Sequence, residues 1–246
     1  MSTAYVFDLD DTLLDTTAVK EEKARSIPFI SPEQYVSFYE QYRVYKEAYL
    51  KDSGEVSLKS FIVYIADVLG LSFEQRAKLT TWEQTIPYKQ YLFDSEHALI
   101  EALGVDDVYI VTREPDEAFQ WMKIDACNFA SFLDVFHIRV VPKKDIQFWT
   151  TLTEEMHELG HSTIVHVNDN PRELFDIICA TNGEGIHLVL FNHGKYAHDA
   201  EMCEQLFVLA KEYPGVLDIA EDFDHMRSLL LDRFVGIEGR GQGKER

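Results

Sequence analysis

Short apolar runs, each stopped by a polar cluster, recur along this chain. The first passes through Val6-Phe7 and enters Asp8-Leu9-Asp10-Asp11-Thr12-Leu13. Val108-Tyr109-Ile110-Val111 stops at Thr112-Arg113, and the run 136–141 stops at Pro142-Lys143-Lys144-Asp145. The run 163–167 enters Asn168-Asp169-Asn170-Pro171-Arg172-Glu173, and 186–191 and 216–219 add two more. Continuous apolar runs of this length read as strands buried on both faces of a parallel sheet. Between them the period lengthens to that of a helix, over 95–103, 116–127, 145–159, 172–180, 199–212 and 223–234. Gly104 and Gly160 supply two of the stops. Strands alternating with helices predict an α/β fold, a Rossmann-like parallel sheet with helices on both faces.

The stretch 17–91 breaks that alternation and carries helix signals alone. Ser31-Pro32-Glu33-Gln34 combines an N-cap, a proline at the first helical position and a capping-box glutamine. Tyr35, Phe38, Tyr39, Tyr42, Tyr45 and Tyr49 follow at helical spacing and read chiefly as the core of a bundle, a minority of rings with Arg43 or Lys46 being candidates to face a ligand, with Gly54 as a stop. Ser57 is read as the start of the next helix, with Phe61, Ile62, Ile65, Val68 and Leu69 on one face, and Ser72-Phe73-Glu74-Gln75 is a second capping box. The domain reading is therefore a core of residues 1–16 and 92–235 and an inserted all-helical unit of 17–91. Residues 236–246 read as a disordered tail, in which Ile237-Glu238-Gly239-Arg240 resembles the remnant of a protease-cleavage tag.

Charge narrows the range of partners. The formal net charge of −20 argues against binding a nucleic-acid backbone or an anionic membrane. An anionic ligand of such a chain would have to be attracted locally. The N-terminus lacks a basic region followed by a signal-type apolar stretch, and no run approaches the length of a membrane span. Cys127, Cys179 and Cys203 are odd in number and widely spaced, which suits reduced, mostly buried residues of a cytoplasmic protein. The sequence does not specify an oligomeric state.

The chemistry sits where the apolar runs end. In an open α/β sheet, ligands bind outside the carboxyl ends of the strands. Asp8 and Asp10 stand there two residues apart, and adjacent carboxylates repel unless a cation or a shared proton compensates. A divalent metal is the obvious compensation, although Asp-Asp-Thr also suits a turn that caps the next helix. The later runs deliver a hydroxyl (Thr112), a lysine (Lys143 or Lys144) and an acidic group (Asp169, with Glu173 four residues on). Nine histidines form no recognisable ligand set, and His157 and His161 read as surface or packing residues.

Asp8-x-Asp10-x-Thr12, a strand ending in Thr112, a Lys and an acidic motif after a further strand resemble the haloacid dehalogenase-like hydrolase superfamily over most of the chain. The stretch from Val111-Thr112-Arg113 to Val140-Val141-Pro142-Lys143-Lys144-Asp145 resembles its phosphatase branch with a helical cap. The resemblance implies a cap at 17–91 and a Mg²⁺-dependent hydrolase of small phosphorylated metabolites. Asp8 would be the nucleophile that becomes an aspartyl phosphate, and Asp10 the general acid and base. Thr112 and Lys144 would bind phosphate. Asp8, the backbone carbonyl of Asp10, and Asp169 would hold Mg²⁺. Thr12 would order the loop, and Asn168 and Glu173 would support the site from behind. Family members that cleave carbon–halogen bonds lack an acid at the position of Asp10. Asn168 departs from the usual acidic start of the fourth motif. A phosphomutase of the same superfamily and a low-turnover binding or regulatory protein with this fold remain the alternatives.

Overall fold

The computed structural model describes residues 2–52, 59–114 and 116–235. The strands are β1 (Ser2–Phe7), β2 (Val108–Arg113), β3 (Ile138–Val141), β4 (His161–Asn168), β5 (Ile186–Phe191) and β6 (Leu217–Ala220). They form one sheet in the order β3-β2-β1-β4-β5-β6, every pairing parallel. Strand order reverses between β1 and β4, so a crevice opens there at the carboxyl edge.

In chain order the helices are α1 (Thr16–Ser26), α2 (Pro32–Asp52), α3 (Phe61–Val68), α4 (Phe73–Gln84), α5 (Glu96–Leu103) and α6 (Glu117–Ala126). Then come α7 (Phe129–Phe132), α8 (Ile146–Glu158), α9 (Pro171–Thr181), α10 (Ala200–Ala210) and α11 (Phe223–Leu230). The period-two alternation of each strand divides the core. Tyr5, Phe7, Ile110, Val165 and Val167 join one apolar cluster that takes in Leu99 and Ile100 of α5, Ile124 of α6 and Met226 of α11. Ala4, Val6, Tyr109, Val111 and Ile164 face the other way, onto Trp149, Leu152 and Met156 of α8 and Leu174, Ile177 and Ile178 of α9.

A third cluster, Ile27, Tyr35, Ile62, Ile65, Ala66 and Leu79, belongs to the helices between β1 and β2. Both capping boxes form there. Ser31 N donates to Gln34 Oε1 at 2.8 Å, and Ser72 N donates to Gln75 Oε1 at 2.9 Å. The chain leaves and re-enters the core through adjacent segments: Asp15 N donates to Tyr91 O at 2.8 Å and Phe93 N to Leu13 O at 3.2 Å.

Several boundaries differ from the sequence reading. Residues 135–137 form a 3₁₀ turn rather than the start of a strand, because the Asp134 side chain accepts from Phe136 N at 3.0 Å. Thr112 lies inside β2 rather than beyond it. α3 is capped by Ser60, and the readings placed on Gly54, Ser57 and the tail 236–246 lie outside the described residues. The last helix ends at Leu230 and passes into a π turn. Short α7 has no counterpart in the sequence reading.

The loop after β1 is built tightly. Leu9 O accepts from Leu13 N and Leu14 N, both at 3.0 Å, and Asp11 takes a left-handed φ of 57°. Gly194, in the loop after β5, packs against Asp11 at a φ of +73°; a Cβ there would sit 2.6 Å from Asp11 Cβ. Gly194→Ala is therefore expected to cost about 1–3 kcal/mol by overpacking, measured by chemical denaturation. A neutral substitution would show that the loop yields freely.

Candidate active site

Asp8 follows β1 directly and is anchored across the crevice, where its backbone N donates to Val167 O at 3.0 Å. Thr112 comes from β2, Lys144 from the turn between β3 and α8, and Asp169 from the turn between β4 and α9. With Asp10 and Glu173 they line one cavity of about 820 Å³. Its far wall comes from α1 to α4 and includes Lys20, Lys23, Tyr35, Tyr39 and Glu83.

Lys144 is the hub. Its Nζ lies 2.7 Å from Asp8 Oδ1 and 3.0 Å from Glu173 Oε2, and its side chain is only 1% exposed. Burial alone would drive the ammonium pKa down, but the two carboxylates more than reverse this and hold it above its ordinary value. Lys143 instead faces solvent and pairs with Asp145 at 2.6 Å. Asn168 donates to Glu173 Oε2 at 2.8 Å and accepts from Asn170 N at 2.9 Å, so it fixes both Glu173 and the β4–α9 turn. Thr12 is fully buried in the loop, and its hydroxyl has no hydrogen-bond partner among the described residues.

Asp10 has neighbours that the sequence reading missed. Lys123 Nζ on α6 lies 2.7 and 2.8 Å from its two carboxylate oxygens. Gln120 Nε2, one turn earlier, donates to Asp10 Oδ2 at 3.2 Å and to Thr112 Oγ1 at 2.6 Å. Burial raises the Asp10 pKa, but Lys123 and Gln120 overcome that and hold it below the usual carboxylate value. The signal available in the sequence was Gln120 and Lys123 at i, i+3 on the face of α6 that also carries buried Ile124.

Asp8 and Asp169 have the opposite character. Burial pushes Asp8 up to about 6 against the pull of Lys144, with Glu173 and Asp10 adding repulsion. Asp169 is 3% exposed, its Oδ2 has no hydrogen-bond partner among the described residues, and burial together with Asp8 and Asp11 raises its pKa well above the ordinary value. Hard oxygens with an orphaned buried carboxylate atom fit a divalent cation such as Mg²⁺. Asp10 can join that set through its backbone carbonyl, since Lys123 occupies its carboxylate. A second donor group, Asp11, Asp15 and His193, brings its ligand atoms within 4.8 Å of one another at the rim. Two of these are already employed: Asp11 Oδ1 accepts from Thr17 N at 3.0 Å, and Asp15 caps α1 by accepting from Ala18 N at 2.8 Å.

The tyrosine stripe of α2 is only partly bundle core. Tyr35 and Tyr42 are buried, but with Tyr39 they also line the cavity. Arg113 is exposed at the cavity edge. Lys46 Nζ of α2 donates to both oxygens of Glu114 at 2.9 and 3.0 Å, tying the inserted helices to the end of β2. No helix among the described residues is long and apolar enough to cross a membrane.

Neither a protein-family model nor a curated protein matches the sequence. Solved structures match its fold. A haloacid dehalogenase-like hydrolase from Burkholderia xenovorans LB400 is 15% identical, with 89% of this chain and 94% of that chain covered at a TM-score of 0.62. A haloacid dehalogenase-like family hydrolase from Xanthomonas campestris is 15% identical over 97% and 98% of the two chains, at a TM-score of 0.50. An L-2-haloacid dehalogenase from Xanthobacter autotrophicus, with chloropropionic acid covalently bound, is 12% identical over 94% and 88%, at 0.50.

The repulsion at Asp169 yields a prediction. Its folded pKa is raised, so ionisation costs stability; the cost is absent below the unfolded value and complete above the folded one. In metal-free protein at pH 7.5, Asp169→Asn is expected to stabilise by about 1–2 kcal/mol, a gain that shrinks as pH falls toward 4. Thermal unfolding at several pH values in chelator measures this. A destabilised variant at pH 7.5 would place a partner on Asp169.

Proposed function

This chain has the haloacid dehalogenase-like fold, and on that footing we propose that it is a Mg²⁺-dependent phosphatase of small phosphorylated metabolites. The observation that carries this reading is Lys144, held between Asp8 and Glu173 in the cavity that Asp10, Thr112 and Asp169 also line.

Asp8 attacks phosphorus through a carboxylate oxygen, the ester P–O bond breaks, and an aspartyl phosphate forms. The attack requires the ionised carboxylate, so the rate rises with pH as Asp8 loses its proton. Lys144 balances the charge of Asp8 and of the transferring phosphoryl group. The Thr112 oxygen accepts from Gln120, which leaves the Thr112 proton free to donate to a phosphate oxygen. Asp10 gives a proton to the departing alkoxide, then takes one from the water that attacks phosphorus and releases Asp8. Lys123 and Gln120 fix its orientation and favour the ionised form, which suits the second step directly. Bound Mg²⁺, held by Asp8, Asp169 and the Asp10 carbonyl, would lessen the repulsion between an anionic nucleophile and an anionic phosphate.

Asp10 also favours phosphate esters over carbon–halogen bonds. A departing halide needs no proton, whereas an alkoxide does. The helices of 17–91 act in this reading as a cap that covers the cavity, excludes water and selects among esters.

Asp8→Asn is expected to abolish phosphate release and leave the melting profile folded, because an amide of the same shape is a poor nucleophile. Turnover by a clean, folded Asp8→Asn preparation would overturn the covalent route. Asp10→Asn is expected to lose about 10²–10⁴-fold with alkyl esters and much less with nitrophenyl phosphate. Equal losses with both leaving groups would remove Asp10 as the acid. Lys144→Ala is expected to lose far more activity than Lys143→Ala, in an assay that chelator should silence.

A further inference from the structure

Acids outnumber bases 43 to 23 in this chain, and most cations lining the cavity are matched. Lys23 pairs with Glu83, Lys46 with Glu114, Lys123 with Asp10, and Lys144 with Asp8 and Glu173. Lys20 lines the same cavity and makes no ion pair among the described residues. Its position is not that of a solvent-facing lysine. Thr16, Val19, Lys20 and Lys23 share one face of α1, and all four line the cavity. Its ammonium lies 5.8 Å from the centre of the Tyr39 ring, on the next helix.

Tyr39 lines the cavity too, and burial with the nearby Asp10 charge pushes its pKa up to about 12, so its hydroxyl stays a neutral donor. Both groups lie on the Asp10 side. The Asp10 carboxyl feels the Lys20 charge, and Tyr39 feels that of Asp10. In the reaction above, Asp10 faces the departing alcohol. A cavity of about 820 Å³ leaves ample room beyond a phosphate for that alcohol.

We propose that Lys20 and the Tyr39 hydroxyl form a second anion subsite that receives a carboxylate on the alcohol part of the substrate. The substrate class is then the phosphorylated hydroxy acids. One ammonium and one neutral hydroxyl match a singly charged group, whereas a second phosphate dianion would remain half-compensated. The inference rests on phosphate occupying the Asp8 end of the cavity.

Calorimetry on the full chain with Mg²⁺ tests it, with non-hydrolysable pairs of equal length. Phosphonoacetate, 3-phosphonopropionate and 4-phosphonobutyrate are compared with ethyl-, propyl- and butylphosphonate. At least one acid is expected to bind about tenfold or more tightly than its alkyl match, the worth of a charge-assisted hydrogen bond. Lys20→Met should bind both members of that pair equally, Lys20→Arg should restore a preference, and Tyr39→Phe should lose part of it. No preference in the parent protein, or one that survives Lys20→Met, overturns the subsite. Tighter binding of ethylene bisphosphonate than of any phosphonocarboxylate overturns the assignment of a carboxylate. If the alkylphosphonates and inorganic phosphate all fail to bind with Mg²⁺, the phosphatase reading itself falls, a result distinct from a missing preference.

Discussion

A single buried ammonium group holds the crevice together. Lys144 meets Asp8 from the end of β1 and Glu173 from α9, so it bridges the two sides of the point where strand order reverses. Without it, Asp8, Asp169 and Glu173 would be a knot of like charges in a poorly solvated space. With it, one of the three stays ionised at low cost, while Asp8 and Asp169 remain raised. The fold thus tolerates charge in excess of what it can balance, and a hard cation is the natural complement of that excess.

The opposite arrangement surrounds Asp10. There the protein supplies its own counter-charge in Lys123 and a donor in Gln120, which also serves Thr112. Two aspartates separated by one residue therefore live in contrasting fields, one short of positive charge and one supplied with it. Identical side chains in a single loop are thereby held on opposite sides of the ordinary carboxylate value.

The fold and the strand-end residues were legible because they obey local rules. Buried runs mark strands, and the residues that stop them are the ones that line the cavity at the carboxyl edge. Lys144 was favoured over Lys143 by the resemblance, and the turn into α8 is what turns it inward while Lys143 faces solvent. Gln120 and Lys123 left only a faint signal, their i, i+3 spacing beside Ile124, because what gives two polar helix residues a role is a distant aspartate that the local pattern does not show. The Lys23–Glu83 pair is likewise invisible in a sequence that separates its members by 60 positions. The boundary at 135–137 failed because Phe136 looks like a strand residue, yet it is 80% exposed on a turn.

Where the chain leaves the sheet for its inserted helices and where it returns, Leu14 and Leu92 form an antiparallel bridge. The insertion therefore begins and ends at almost the same point, and it has an apolar cluster of its own. The continuity of the sheet does not pass through it. Val19, Ile86 and Tyr88 of the insertion also pack into the cluster beneath the sheet, so the two parts share apolar contacts as well as that junction. The two crossings are held side by side, so the strand ladder runs unbroken past the place where the chain departs and returns.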